Sequence, residues 1–188
     1  MQLPPDFKEF LQALSTFTVE YLLVGGFAVS FHGYPRTTAD IDVWIAVHPD
    51  NARRMMAALR HFGFGGSSAT EELFLHSNKI VRMGVPPLRI TILTTIDGVR
   101  FAECYARRVE VPLDDATIYV ISRQDLIANK QASGRAKDIA DLEQLAREKD
   151  ILDKAVQWPG SRGASRSPLF KCPSLPRRAS ALHYALWT

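Results

Sequence analysis

A glycine pair between a strand and a helix, followed one strand later by two carboxylates, constrains this chain more than any other feature. The apolar segment Tyr21–Val24 runs into Gly25 and Gly26, which open a short helical segment. The next apolar segment begins with Asp40 and Asp42 on either side of an isoleucine. This order of strand, glycine turn, helix and strand predicts an α/β sheet that carries both aspartates at its working edge.

Asp40 and Asp42 stand two residues apart in a segment that is otherwise apolar. Because successive strand side chains point to opposite faces, both carboxylates are expected on one face. Two adjacent ionised carboxylates repel each other, and a hard cation that prefers oxygen ligands relieves this repulsion. We therefore predict that Asp40 and Asp42 bind Mg²⁺ (or Mn²⁺). Surface carboxylates at a strand end are the alternative, which their apolar neighbours disfavour.

Two interpretations apply to Gly25 and Gly26. They form a tight strand-to-helix turn and nothing more, or their missing Cβ atoms let backbone N–H groups at the helix N-terminus approach a phosphate. The aspartates on the next strand favour phosphate contact. Arg36, in the loop before that strand, is a candidate for triphosphate contact, and an ordinary exposed loop arginine is the alternative.

Periodicity predicts alternating helices and strands over most of the chain. We expect helices over 5–17, 26–32, 49–61, 99–108 and 136–149, and one more that Ser122 caps. The expected strands cover 20–24, 39–47, 79–83, 88–93, 109–111 and 118–121. The predicted fold class is α/β (α+β): a mixed, twisted β-sheet flanked by helices.

The charge distribution divides the chain of 188 residues into two parts. Residues after Asp153 carry six basic side chains and no acidic one, which leaves 17 of the 23 basic residues against all 20 acidic residues before them. We predict one domain over residues 1–152 and a basic Pro/Ser/Arg-rich tail over 153–188, disordered or loosely attached. Such a tail can contact nucleic acid through phosphate neutralisation, but disorder alone is the favoured interpretation.

Several classes of protein are disfavoured by the composition. The longest apolar run is too short to cross a bilayer, which takes roughly 20 residues, so we expect no membrane association. The N-terminus has no basic region and no apolar signal core. Cys104 and Cys172 lie in different settings without metal-ligand spacing. Reduced thiols and a cytoplasmic location are the expectation.

Four stretches together resemble a known family: LLVGGFAVSFHG, TTADIDVWI, GVPPLRITILTTIDGVRFAECYARR and ISRQDLIANKQASGRAKDIADLEQL. Over residues 5–150 the chain resembles a minimal nucleotidyltransferase of the DNA polymerase β superfamily, close to its abortive-infection and toxin–antitoxin branch. The resemblance implies transfer of a nucleotidyl group from an NTP to a hydroxyl, with Asp40 and Asp42 as catalytic, metal-binding residues. It also implies nucleotide contacts from Gly25 and Gly26.

The resemblance further suggests that one of Lys130, Arg135 and Lys137 reaches the nucleotide phosphates, with Lys130 the first candidate. A solvated basic face paired with Asp138 and Asp141 is an equally weighted alternative.

The chain departs from the family at Thr91, where a third carboxylate is common. A neutral hydroxyl does not replace that charge, so support for the metal that activates the nucleophile is weakened. Asp97 is a conceivable substitute, although it lies in a turn and is expected to point elsewhere.

Three functions follow from these residues. The first is a metal-dependent nucleotidyltransferase. The second is a catalytically weakened nucleotide-binding protein or antitoxin-like partner, in which another protein or a second copy completes the cleft. The third is a nucleic-acid-associated factor that acts through its tail.

Overall fold

A computed structural model describes residues 3–34, 38, 40–64, 69–85, 88–114 and 116–157. Its strands are β1 (Tyr21–Val24), β2 (Asp40–Ile45), β3 (Ile80–Val85), β4 (Leu88–Leu93), β5 (Val109–Leu113) and β6 (Ala116–Val120). Its α-helices are α1 (Pro5–Thr16), α2 (Gly25–Phe31), α3 (Pro49–His61), α4 (Phe101–Ala106), α5 (Arg123–Ser133) and α6 (Ala136–Gln157). One 3₁₀ turn covers Glu71–Phe74.

The strands form one mixed sheet in the order β3-β4-β2-β1-β6-β5. β2 lies parallel to β4 and antiparallel to β1, and β1 lies parallel to β6. The two outer strands, β3 and β5, pair antiparallel with β4 and β6. The predicted fold class, a mixed sheet flanked by helices, is confirmed.

The hydrophobic core explains the position of β2 inside the sheet. Ile41 and Val43 alternate with the aspartates and are fully buried, as the two-residue period of a strand requires. Helix α2 packs on β1 and β2, and α1 packs against α3 and β6. The carboxylates therefore stand on a strand fixed by neighbours on both edges and by core packing.

Some boundaries differ from the sequence prediction. β3 extends to Val85 because its backbone stays in register with β4, with Val85 opposite Leu88. α4 is shorter than predicted, since its first turn begins only after Arg100 and its last residue is Ala106. The predicted cap is confirmed: the Ser122 hydroxyl accepts a hydrogen bond from the Asp125 backbone N–H at 3.1 Å.

The last helix continues past the predicted domain boundary at residue 152. α6 ends at Gln157 rather than at 149. The rest of the predicted tail, residues 158–188 with Cys172, lies outside the described residues. Cys104 is buried in α4. No helix in the described part of the chain has the length and hydropathy that a membrane crossing needs.

Candidate functional site

The sheet register gathers polar side chains on one face of three neighbouring strands. Asp40 on β2 lies opposite Arg89 on β4, and Asp42 lies opposite Thr91. Thr91 is in turn opposite Arg82 on β3. Residues paired across a sheet point to the same face, so these five side chains form one polar strip.

The polar strip ends at Trp44, the next residue of β2 on the same face. Its indole is covered by Phe101 of α4, with ring centroids 5.1 Å apart in an edge-to-face arrangement. Trp44 is 2% exposed. The two carboxylates are thereby confined to one end of β2, and the rings of Trp44 and Phe101 lie next to them.

A cavity of about 520 Å³ opens above the polar strip. Both predicted aspartates and Gly25 line it, and so do residues from β3, from the turn after β4 and from the junction of α5 and α6. The charged residues in its wall are Asp40, Asp42, Lys79, Arg82, Arg89, Asp97, Lys130, Arg135 and Asp138. Its volume falls in the range of small-molecule sites.

The surroundings of Asp42 disfavour the charged form of its carboxyl group. Burial raises the pKa of its carboxyl, and the nearby Asp40 charge raises it further, against weaker opposing effects from Lys137 and Arg89. No hydrogen bond or ion pair joins Asp42 to another described residue. A half-buried carboxylate in this situation favours a cation as its partner.

Gly25 has two reasons to be glycine. Its φ of 62° lies in the left-handed region. A Cβ on Gly25 would stand 2.9 Å from Cγ of Asp42 and closer still to Oδ2. The Asp42 side chain occupies this space, and the predicted phosphate contact at Gly25 stays a prediction. Gly26 is buried within α2.

Asp40 has a partner, in contrast to Asp42. The Arg89 guanidinium donates from Nε to Oδ1 of Asp40 at 3.2 Å and from Nη2 to Oδ2 at 2.6 Å. These two parallel hydrogen bonds form the bidentate arrangement typical of arginine and a carboxylate. Asp40 and Asp42, two residues apart on one face, therefore have different electrostatic environments.

The donor set fits one divalent ion better than two. Thr91 is buried at the position opposite Asp42, where a carboxylate would complete a set of three. Asp97 lines the cavity. Even so, no three His, Cys, Asp or Glu side chains within the described ranges are close enough to hold a metal ion. Mg²⁺ is commonly held by one or two carboxylates together with substrate phosphates, and Asp42 suits that role.

Lys130 lies in a buried ion cluster at the junction of α5 and α6. Its Nζ donates to Asp138 Oδ1 and Asp141 Oδ2, both at 2.7 Å, and its side chain is 4% exposed. The pairing with Asp138 and Asp141 matches the alternative considered for this lysine. For Lys130 the solvated face is wrong, because this lysine is buried, whereas Arg135 and Lys137 are exposed. Lys130 also lines the cavity, so phosphate contact from it stays a prediction.

Asp138 shows how strongly the cluster is coupled. Burial alone would raise the pKa of Asp138, but hydrogen bonds from Lys130 and Ser133 outweigh burial, and the pKa is lowered. Its charged form is thus stabilised by the fold.

Replacing Lys130 by methionine is expected to destabilise the protein by about 3–5 kcal/mol, because Asp138 and Asp141 would be left buried without a cation. Urea unfolding measures this change. Lys137→Met, at the exposed second residue of α6, is the matched control and should change stability by less than about 0.5 kcal/mol. Equal effects in the two variants would show that the cluster does not stabilise the fold.

Three cations on the cavity wall are free to meet a ligand. Lys79, Arg82 and Arg135 are exposed, and none forms a salt bridge with another described residue. They come from β3, the segment before it and the α5–α6 turn, so they surround the cavity. Of the basic residues predicted near that turn, Arg135 is thus better placed for an anion than Lys130. Arg36 lies outside the described residues.

Sequence reasoning missed Arg89, Lys79 and Arg82 as parts of the site. Arg89 stands two residues before Thr91, so strand alternation alone placed both on one face. For Arg82 and Lys79 no sequence signal existed. Their place in the cavity wall depends on β3 pairing with β4 in one particular register.

The geometry defines a class of protein: a mixed sheet with paired aspartates facing a cavity lined with cations. A family described as nucleotidyltransferases of unknown function (DUF6036) matches residues 2–153, and the chain belongs to that family. The predicted membership of the nucleotidyltransferase superfamily is confirmed. No curated protein matches the chain.

Among solved structures, the chain is similar to the crystal structure of a "putative nucleotidyltransferase" from Thermotoga maritima, determined at 1.87 Å resolution. The two are 16% identical, the match covers 81% of this chain and 96% of that chain, and the TM-score is 0.44. A likeness at this level adds nothing to the family assignment.

Proposed function

We propose that this protein binds an NTP together with Mg²⁺ (or Mn²⁺) in the cavity and transfers its nucleotidyl group to a hydroxyl acceptor. One observation carries the proposal. The Asp42 carboxylate is half-buried beside a second carboxylate, has no partner among the described residues, and faces a cavity whose wall presents free cations. A divalent ion with a polyphosphate satisfies both groups of charges at once.

In this proposal, different residues bind the metal ion and the phosphate groups of the nucleotide. Asp42 would hold the divalent ion, which neutralises phosphate charge when bound. Lys79, Arg82 and Arg135 would bind phosphate oxygens from the opposite walls. In the transfer, the acceptor oxygen bonds to the α-phosphorus, the bond from that phosphorus to pyrophosphate breaks, and the hydroxyl proton passes to solvent.

The first experiment is calorimetric titration of the full chain with ATP and with GTP in the presence of Mg²⁺. Binding that disappears in EDTA and in Asp42→Asn supports the site and justifies a search for the acceptor with labelled nucleotide. Wild-type protein that binds neither nucleotide would refute the proposal. Attention would then move to protein partners and to the basic tail.

A second candidate function is a catalytically weakened, nucleotide-binding partner protein of the antitoxin type, acting on another chain or as a homodimer. Thr91 favours it, because a hydroxyl stands opposite Asp42 where a third carboxylate would complete the site. Such a protein would retain nucleotide affinity and lack turnover. A cytoplasmic location and nucleic-acid binding through the tail stay predictions.

Thr91→Asp tests the second candidate function. A carboxylate opposite Asp42 is expected to raise the affinity for Mn²⁺ by about tenfold, because it adds a charged oxygen ligand beside an existing one. Thr95→Asp, which places the same charge elsewhere on the cavity wall, is the control. If Thr91→Asp changes neither metal affinity nor turnover, Thr91 is not a degenerate ligand position.

A further inference from the structure

The salt bridge between Arg89 and Asp40 lies inside the candidate site. The two residues are opposite each other in the β2–β4 register, and both line the cavity. Their side chains are 39% and 34% exposed. A partly exposed ion pair adds little to stability, so stability is a weak reason for this pair to be here.

The geometry of the pair engages both carboxylate oxygens of Asp40. Each carboxylate oxygen accepts one guanidinium N–H. The hydrogen bond to Asp40 and its charge raise the pKa of Arg89, so the guanidinium stays charged in any ordinary buffer. A divalent ion that binds Asp40 must approach or displace a fixed positive charge, whereas no residue in the described part of the chain forms such an ion pair with Asp42.

Arg89 also has donors to spare. A guanidinium carries five N–H groups in a rigid plane, and Asp40 accepts two of them. Planar N–H groups of arginine match phosphate oxygens well. In a cavity that holds a polyphosphate, the same side chain can bind Asp40 and a phosphate at once.

We infer that Arg89 serves as the second cation of this site. Its guanidinium binds Asp40 and a phosphate oxygen in place of the second metal ion that two-metal enzymes use. One divalent ion therefore binds, at Asp42. Arg89 is thus a positioning residue for the nucleotide. The inference rests on the proposed function for its phosphate contact. The competition between Arg89 and a metal for Asp40 does not depend on the nucleotide.

The first test is a titration of the full chain with Mn²⁺ alone. The electron paramagnetic resonance signal of Mn²⁺ measures how much of the ion is bound. Arg89→Gln releases both oxygens of Asp40 beside Asp42, and we expect it to bind Mn²⁺ about tenfold more tightly than the wild type. Arg82→Gln is the matched control. It removes one positive charge from the same cavity, in the same register row as Thr91 and Asp42, without touching Asp40.

A second titration with ATP present counts the ions. The wild type should bind one Mn²⁺ in total per bound nucleotide, and Arg89→Gln should approach two with weaker nucleotide binding. Arg89→Lys keeps the positive charge but loses the two parallel hydrogen bonds of the guanidinium. Its number of bound Mn²⁺ ions should lie between those of the wild type and Arg89→Gln. This variant also serves if Arg89→Gln does not fold, as judged by circular dichroism.

The outcomes separate the inference from the proposed function. Equal Mn²⁺ affinities in Arg89→Gln and Arg82→Gln, or two ions per nucleotide in the wild type, would overturn the role of Arg89. Tighter Mn²⁺ binding by Arg89→Gln alone, with no nucleotide binding by any variant, would uphold the competition for Asp40 and refute the nucleotide site together with the phosphate contact.

Discussion

Asp42→Asn is expected to abolish metal-dependent nucleotide binding and, in the same protein, to increase stability. The Asp42 carboxylate is half-buried in the cavity beside Asp40 and has no hydrogen bond or ion pair with another described residue, so its loss should weaken nucleotide affinity in Mg²⁺ by more than about tenfold. Calorimetric titration measures this. Asp97→Asn makes the same change of charge in the same cavity and should have a much smaller effect.

The increase in stability follows from the pKa of Asp42. Burial and the Asp40 charge raise that pKa in the folded state, so the ionised carboxylate opposes folding at neutral pH. Stability of the wild type should therefore fall as the pH rises from the unfolded-state value of about 3.9 through the folded-state value. In Asp42→Asn this loss is absent, so urea midpoints of the two proteins should agree near pH 4 and separate toward pH 7. A variant less stable than the wild type at pH 7 would contradict this explanation.

Gly25→Ala is expected to damage both the fold and the site. A non-glycine residue in the left-handed region costs about 1–2 kcal/mol. At Gly25 the added Cβ also meets the Asp42 side chain, which must move away from Gly25. We expect a loss of stability beyond the conformational cost, together with loss of metal-dependent nucleotide binding.

Gly134→Ala provides the matched control for Gly25→Ala. Gly134 ends α5 with a φ of 61°, against 62° for Gly25, and nothing lies within 4 Å of a Cβ placed there. Urea unfolding of both variants separates the conformational cost, which they share, from the collision with Asp42. If Gly25→Ala loses no more stability than Gly134→Ala and still binds nucleotide, the close approach of Gly25 and Asp42 is not required for the site.

Local sequence patterns predicted the elements around the candidate site well. The glycine pair, the alternation of Asp40, Ile41 and Asp42, and the cap at Ser122 each depend on contacts within a few residues. Steric freedom at glycine, the two-residue period of a strand and side-chain capping all act over that distance. For this reason the helix and strand order and the shared face of the aspartates could be read directly.

The partners of those residues could not be read in the same way. For Lys130 the sequence leaves open a phosphate contact and a solvated face paired with Asp138 and Asp141, and the fold buries this lysine with those two aspartates. No local pattern predicts Arg89 as the partner of Asp40, although the two residues pair across 49 residues of chain. Both outcomes depend on how elements pack, because burial decides whether a charge remains in water or needs an ion partner.

The sequence by itself determined that Asp40 and Asp42 share one face of a strand beside a glycine turn, since backbone geometry enforces both. Only the tertiary structure decided that the two carboxylates differ. Strand register set Arg89 against Asp40 and Thr91 against Asp42, and the pairing of β1 with β2 placed Gly25 beside the Asp42 side chain. The pKa of a carboxyl group depends on its burial and on the charges and hydrogen-bond donors close to it in space. The tertiary structure determines which residues these are.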